Sequence, residues 1–215
     1  MTRHAQSAAD AKNSLAFQAG ESNLDRGAVQ ECSSCCAAQS NPACVPALVA
    51  AALIAQAVRV VESVSDESYC RTSSRLKGGT IGKHFRHCLD HFAAALVPAN
   101  DMTAMIDYDR RERNVPMETC RTTAAGALRT VIEQLRVVDA ARGSLSVRVR
   151  VMLTGDGQEI ELTSTLAREL AFAAHHAVHH HAMIKAIAEE FGEAVPGEFG
   201  KAPSTIHFER ATNPA

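Results

Sequence analysis

The chain has 215 residues, a net charge of −2 and a pI near 6.5, with 46 % apolar residues, 4 % aromatic residues and no tryptophan. That apolar share is ordinary for a globular fold, and the near-neutral charge excludes a general polyanion binder, so no nucleic-acid partner is expected. Scarce aromatics beside abundant Ala, Leu and Val favour helix packed on helix over a β-sandwich core.

Residues 1–43 are rich in Ala, Ser, Gln and Asn without a sustained apolar period, and a disordered tail is expected there. The run ECSSCCAAQSNPAC places Cys32, Cys35, Cys36 and Cys44 together. The Cys32–Cys35 spacing suits a metal clip, but a structural zinc site usually needs a second well-spaced pair, so a reduced tail is expected. The opening residues MTRHAQSAADAKNS are polar and lack a charged stretch leading into an apolar core. A cytoplasmic protein is the expectation. The most apolar stretch, VPALVAAALIAQAVRVV, contains Gln56 and Arg59 and is short for a membrane span, so a buried helix and no membrane partner are expected.

That first helix is predicted from about Pro46, which suits a first turn, to Ser65. Thr72 to Gly79 reads as a loop. Thr80 can cap a second helix, IGKHFRHCLDHFAAALV, predicted to stop before Pro98. Ile81, Phe85, Cys88, Leu89 and Phe92 recur along it at helical spacing. The charged segment IDYDRRERNVP reads as a long connection. A third helix is predicted over about Glu118–Ala140, closed by Gly143. Val147, Val149 and Val151 then alternate with Arg148 and Arg150, and the turn TGDG leads to a short strand around Glu159–Leu162, a hairpin pattern. The fourth helix spans about Ser164–Phe191, and the Pro- and Gly-containing tail beyond it is expected to wrap the surface, with 209–215 as a free end. The expected fold is all-α: a four-helix bundle over 44–208 with long crossovers and a small β-hairpin between helices three and four.

Histidines mark two of these helices. His175, His176, His179, His180 and His181 fall within AFAAHHAVHHHAMIKAIAEE. Four residues advance a helix by about 400°, so His176 and His180 sit one turn apart on one face and can share an ion. Glu169, Phe172, Met183 and Ile187 continue that face, which is expected to point inward. His175, His179 and His181 lie off it and are expected at solvent or in support of the site. On the second helix His84, His87 and His91 share one broad face, with His87 central. Inward imidazoles from two helices suit a metal site in a bundle core. Cys88 is expected to be a small core residue.

The segments GGTIGKHFRHCLDHF, IDYDRRER, LARELAFAAHHAVHHHAMI and FGKAPST resemble the DinB/YfiT-like superfamily over roughly residues 46–208. That resemblance implies a four-helix bundle and a three-His metal site, with one ligand on the second helix and an H-x3-H pair on the fourth. Carried over residue by residue, the ligands fall on His87, His176 and His180. His84, Asp90, His91 and His179 become supporting neighbours, with His84 or His91 the alternatives for the third ligand. A divalent Zn, Ni or Fe ion suits such a donor set. The resemblance further implies chemistry with a low-molecular-weight thiol and a small-molecule substrate, and makes a homodimer an expectation. A related H-x3-H-x-E pattern belongs to iron-dependent sulfoxide synthases; here Ala182 stands at the carboxylate position.

Three neutral imidazoles leave an ion with an open position, the arrangement of a catalytic site. Asp107, Tyr108 and Asp109 are candidates to orient a ligating imidazole or hold substrate, or else a solvated loop. Arg110 and Arg111 are candidates to clamp a substrate carboxylate. Glu169, two turns before His176, is a candidate general base. The leading expectation is a metal-dependent thiol transferase or hydrolase. A non-enzymatic, stress-related dimeric bundle and a metal buffer or sensor stand as alternatives.

Overall fold

The computed structural model describes residues 42–101 and 105–212. The expected tail, with Cys32, Cys35 and Cys36, lies outside the described residues apart from its last two positions. Those two are tied down: Pro42 accepts from the Ala140 N–H at 2.8 Å, and Ala43 bridges Asp139. Cys44 is buried rather than part of a tail, with its sulfur close against Gly143.

The fold is mostly helical with one small sheet. In chain order it comprises α1 (Val45–Ser63), α2 (Asp66–Cys70), α3 (Ile81–Asn100), β1 (Met105–Asp107), a 3-10 turn (Pro116–Glu118), α4 (Arg121–Arg136), α5 (Ala140–Gly143), β2 (Ser146–Met152), β3 (Glu159–Thr165), α6 (Leu166–Glu190) and α7 (Pro203–Thr212). Contacts among the long helices close a ring: α1 touches α4 and α6, and α3 touches the same two. Among the described residues, α1 alone is long and apolar enough to cross a membrane by length and composition. Its Ala47, Ala50, Ile54, Ala57, Val60 and Val61 are buried in the core.

Side-chain caps set several helix starts. Thr80 accepts from the Lys83 N–H at the head of α3, and Thr165 from the Arg168 N–H at the head of α6. Three boundaries differ from the sequence expectation. α3 runs through Pro98 to Asn100, because Leu96 and Pro98 are buried and a proline so near the helix end removes only one backbone bond. α4 ends at Arg136; Asp139 caps a separate turn, α5, and it is this turn that Gly143 closes. The C-terminal segment forms α7, which has no buried residue and continues past the expected boundary at 208.

The hairpin forms as expected, with β2 and β3 antiparallel from Ser146↔Thr165 to Met152↔Glu159. A third strand joins it. β1, from the segment read as a connection, pairs parallel with β2, setting Ile106 opposite Val149. Both side chains are buried, and that apolar pair outweighs the charge of the residues that follow. β1 thereby holds the Asp107–Val115 segment beside α3.

Gly82 fixes how closely α3 approaches the 3-10 turn. A Cβ there would collide with the Glu118 carbonyl and lie 2.7 Å from Tyr69 Cε1. Tyr69 is fully buried and its hydroxyl donates to the Met117 carbonyl at 2.7 Å, so it has little room to retreat. Gly82→Ala is expected to destabilise the protein by about 1–3 kcal/mol, the usual range for overpacking. Urea denaturation checks this; an unchanged midpoint would mean that α3 can simply move outward.

Candidate metal centre

Five imidazoles meet where α3 faces α6. His84, His87 and His91 come from α3, and His176 and His180 from α6. His87 Nε2 lies 3.0 Å from His176 Nε2, and His84 Nδ1 lies 2.9 Å from His180 Nδ1. His91 stacks on His176 with ring centroids 3.9 Å apart, while His87 and His180 are 4.5 Å apart, centroid to centroid. One ring nitrogen from each of His87, His91 and His176 falls within 4.8 Å of the others, close enough for the three to hold a metal ion. Two imidazoles on a tetrahedral ion place their nitrogens about 3.3 Å apart, close to the His87–His176 separation.

The sequence-derived trio of His87, His176 and His180 is thus gathered in one place, with His91 and His84 among them. His91 is bonded more closely to the group than a supporting neighbour. Its Nδ1–H donates to the His87 carbonyl at 3.0 Å, which fixes the tautomer and leaves the lone pair on Nε2. His179 is exposed and so is His175, as expected. His181 is not. It is 1 % exposed, stacked on Phe199 at 4.5 Å, because the segment after α6 folds back over that face.

Burial sets the protonation of these rings. Desolvation pushes His87 down to about 2 and His176 to about 4, with neighbouring imidazoles and Arg111 adding to the shift. His180 falls to about 3, again mainly by desolvation and then by His176 and His84. His84 and His91 are lowered by the same cause. Neutral imidazole is the charge state from which a histidine ligates a metal, and burial holds the rings in that state near neutral pH.

The loop after β1 sorts its candidates. Arg111 enters the cluster: its Nη1 donates to His87 Nδ1 at 2.6 Å. Arg110 points away, 71 % exposed, paired with Asp107 at 3.4 Å. Asp107 Oδ1 accepts from the backbone N–H groups of Asp109 and Arg110, which makes it a turn cap rather than an imidazole partner. Asp109 accepts from the Met152 N–H at 2.7 Å and so pins the loop to β2. Tyr108 does reach the site, stacking on His91 at 5.1 Å while its hydroxyl donates to Glu169 at 2.8 Å. Glu169 is buried and accepts also from Ser164 and Arg168, so its oxygens are engaged in holding Tyr108 rather than free to act as a base. Asp90 is turned to Arg86 at 2.5 Å, not to a histidine, and burial raises its pKa despite that partner. Arg86 also pairs with Glu118 at 2.8 Å. Cys88 is a buried core residue, and burial raises its thiol pKa.

A cavity of ≈ 400 Å³ opens on His84, His87 and His180, walled also by Leu76 and Met183 and by the Lys77–Gly79 loop. The start of that loop is fastened to α6. Glu190 accepts from the hydroxyls of Ser73 and Ser74 at 2.6 Å each, and these bonds hold its carboxyl down at about 2.

No family model matches the chain, and no solved structure matches it. Over 114 residues, 52 % of the chain, it is 34 % identical to FK506-binding protein 5 of Rhizopus delemar. The chain spans only 29 % of that relative's length.

The lowered imidazole pKa values carry a sign for stability. The ordinary value is 6.5, and His176 and His181 sit near 4 in the fold. Below 6.5 the unfolded chain therefore binds more protons than the folded one, and stability, complete above that value, falls with pH. Thermal melts of chelator-treated protein are expected to drop steadily between about pH 7 and about pH 5, above the range of ordinary carboxylates. A flat melting temperature across that window would contradict the burial of the rings.

Proposed function

We propose that this chain is a metal-dependent protein of the DinB/YfiT-like type, a four-helix bundle of α1, α3, α4 and α6 that works as an enzyme on a small molecule, a thiol-dependent transferase or a hydrolase. The observation that carries the reading is the convergence of His87, His91 and His176 within ligating distance of one another. The ring of contacts among the four long helices and the motifs along α3 and α6 support it. The stretch matched in the fungal relative is too small a part of that protein for its FK506 binding to be carried over.

In this reading His87, His91 and His176 hold the ion, and His180 stands beside them as the alternative fourth donor. A divalent zinc, nickel or iron ion there would supply Lewis acidity, lowering the pKa of a coordinated water or thiol. The chain supplies the rest. The His87 carbonyl orients His91, Tyr108 packs flat on the same ring, and Glu169 locks Tyr108 in place. The cavity is of a size for a small substrate and opens on one edge of the histidine cluster.

Metal content of native, tag-free protein, measured by mass spectrometry, tests this. About one ion per chain is expected, as for a mononuclear site. It should be lost in His87→Ala, His91→Ala and His176→Ala, each checked for fold by circular dichroism, and retained in His175→Ala, which alters an exposed ring. An ion that survives His176→Ala, or none after metal-replete purification, would sink the site.

A further inference from the structure

The cavity beside the histidines has a strongly basic wall. That wall includes Lys77, Lys83, Arg86 and Arg111 and, among the described residues, no carboxylate. Arg86 is matched by Asp90 and Glu118 outside the wall. Lys83 Nζ donates to the Gly78 carbonyl at 3.1 Å. Arg111 makes no ion pair within 4 Å among the described residues; the acid that feels its charge, Asp90, is already bonded to Arg86. Arg111 Nη1 donates to His87 Nδ1, and its Nε is buried with no hydrogen-bond partner among the described residues. A buried guanidinium donor without an acceptor costs free energy that an anion would recover. His84 Nε2, on the same wall, is likewise buried and unpartnered.

The Arg111 bond also decides what His87 can do. A guanidinium only donates, so His87 Nδ1 is the acceptor, and the neutral ring then carries its proton on Nε2. That Nε2–H faces His176 Nε2 at 3.0 Å. In this arrangement His87 has no lone pair to give. If Nδ1 is to ligate, the guanidinium must leave it. If Nε2 is to ligate, the proton must move to Nδ1, where it would meet a second donor. Either way an ion at His87 requires Arg111 to withdraw.

We propose that the cavity binds a small organic anion, through a carboxylate or phosphate group held by Arg111 with Lys77 and Lys83, and that the anion and the metal ion bind cooperatively. The anion draws the guanidinium off His87 and frees that ring to ligate; the ion in turn adds positive charge to a wall that has no carboxylate. This rests on the three-histidine reading and adds to it the class of substrate. Linkage makes the coupling reciprocal: whatever factor the anion adds to ion affinity, the ion adds to anion affinity.

Calorimetric titration of Zn²⁺ into the full, chelator-stripped chain tests it, alone and with saturating acetate or methylphosphonate. In the wild type either probe should raise zinc affinity, roughly tenfold for the better one, in the usual range of such couplings. The stronger probe identifies the head group. In Arg111→Met zinc should bind more tightly than to wild type without any probe, and the probe effect should shrink to the small remainder that Lys77 and Lys83 support. Arg111→Gln, closer in shape and polarity, should behave alike and guards against a folding defect in the first variant. Weaker zinc binding in both variants, or a probe effect undiminished in them, would overturn the anion site while leaving the histidine site standing. Zinc binding to neither wild type nor variants would instead overturn the histidine site.

Discussion

An imidazole leaves water most cheaply when it is neutral, and five of them leave water together where α3 meets α6. Desolvation rather than any one charge is the largest cause of the lowered pKa at His87, His176 and His180. Two contacts pair the rings across the helices, His87 with His176 and His84 with His180, while the His87 carbonyl and Arg111 engage two of the remaining nitrogens. Neighbouring positive charge makes protonation harder still. Helix packing that hides these rings therefore also keeps them in the basic form, and the core and the site obey one requirement.

Positioning falls to groups that carry no chemistry of their own. The apolar pair Ile106 and Val149 sets the register of β1, and β1 delivers Tyr108 and Arg111 to the histidines. Glu169 has the look of a general base in the sequence, yet three donors occupy it, and what it does is hold the phenol that stacks on His91. The loop is pinned at both ends. Asp109 takes the Met152 N–H, and Asn114, at φ 58, donates its N–H to Glu118. The left-handed backbone suits an asparagine better than most residues.

Helical periodicity made the long helices and the facing histidine stripes legible, since an apolar stripe has to be buried whatever surrounds it. The hairpin was legible for the same reason, from the alternation of valine and arginine after Ser146. What was missed depends on partners distant in sequence. β1 is three residues long, too short to show a period, and exists only because β2 lies beside it. His181 is buried by Phe199 from a segment that follows α6, which no periodicity within the helix could announce. His91 was within reach: His87 and His91 repeat the four-residue spacing of His176 and His180, so each helix offers a pair on one face. The extent of α3 past Pro98 and the break of α4 before Asp139 were beyond propensity, because burial in one case and a cap in the other decided them.

The grip of Glu190 on Ser73 and Ser74 ties the start of the Ser73–Gly79 loop to the same helix that carries His176 and His180. The other end of the loop runs straight into α3, where Lys83 Nζ donates to the Gly78 carbonyl at 3.1 Å. The loop is therefore a strap fastened to both histidine-bearing helices, and the spacing between their two stripes is held from outside as well as through the core.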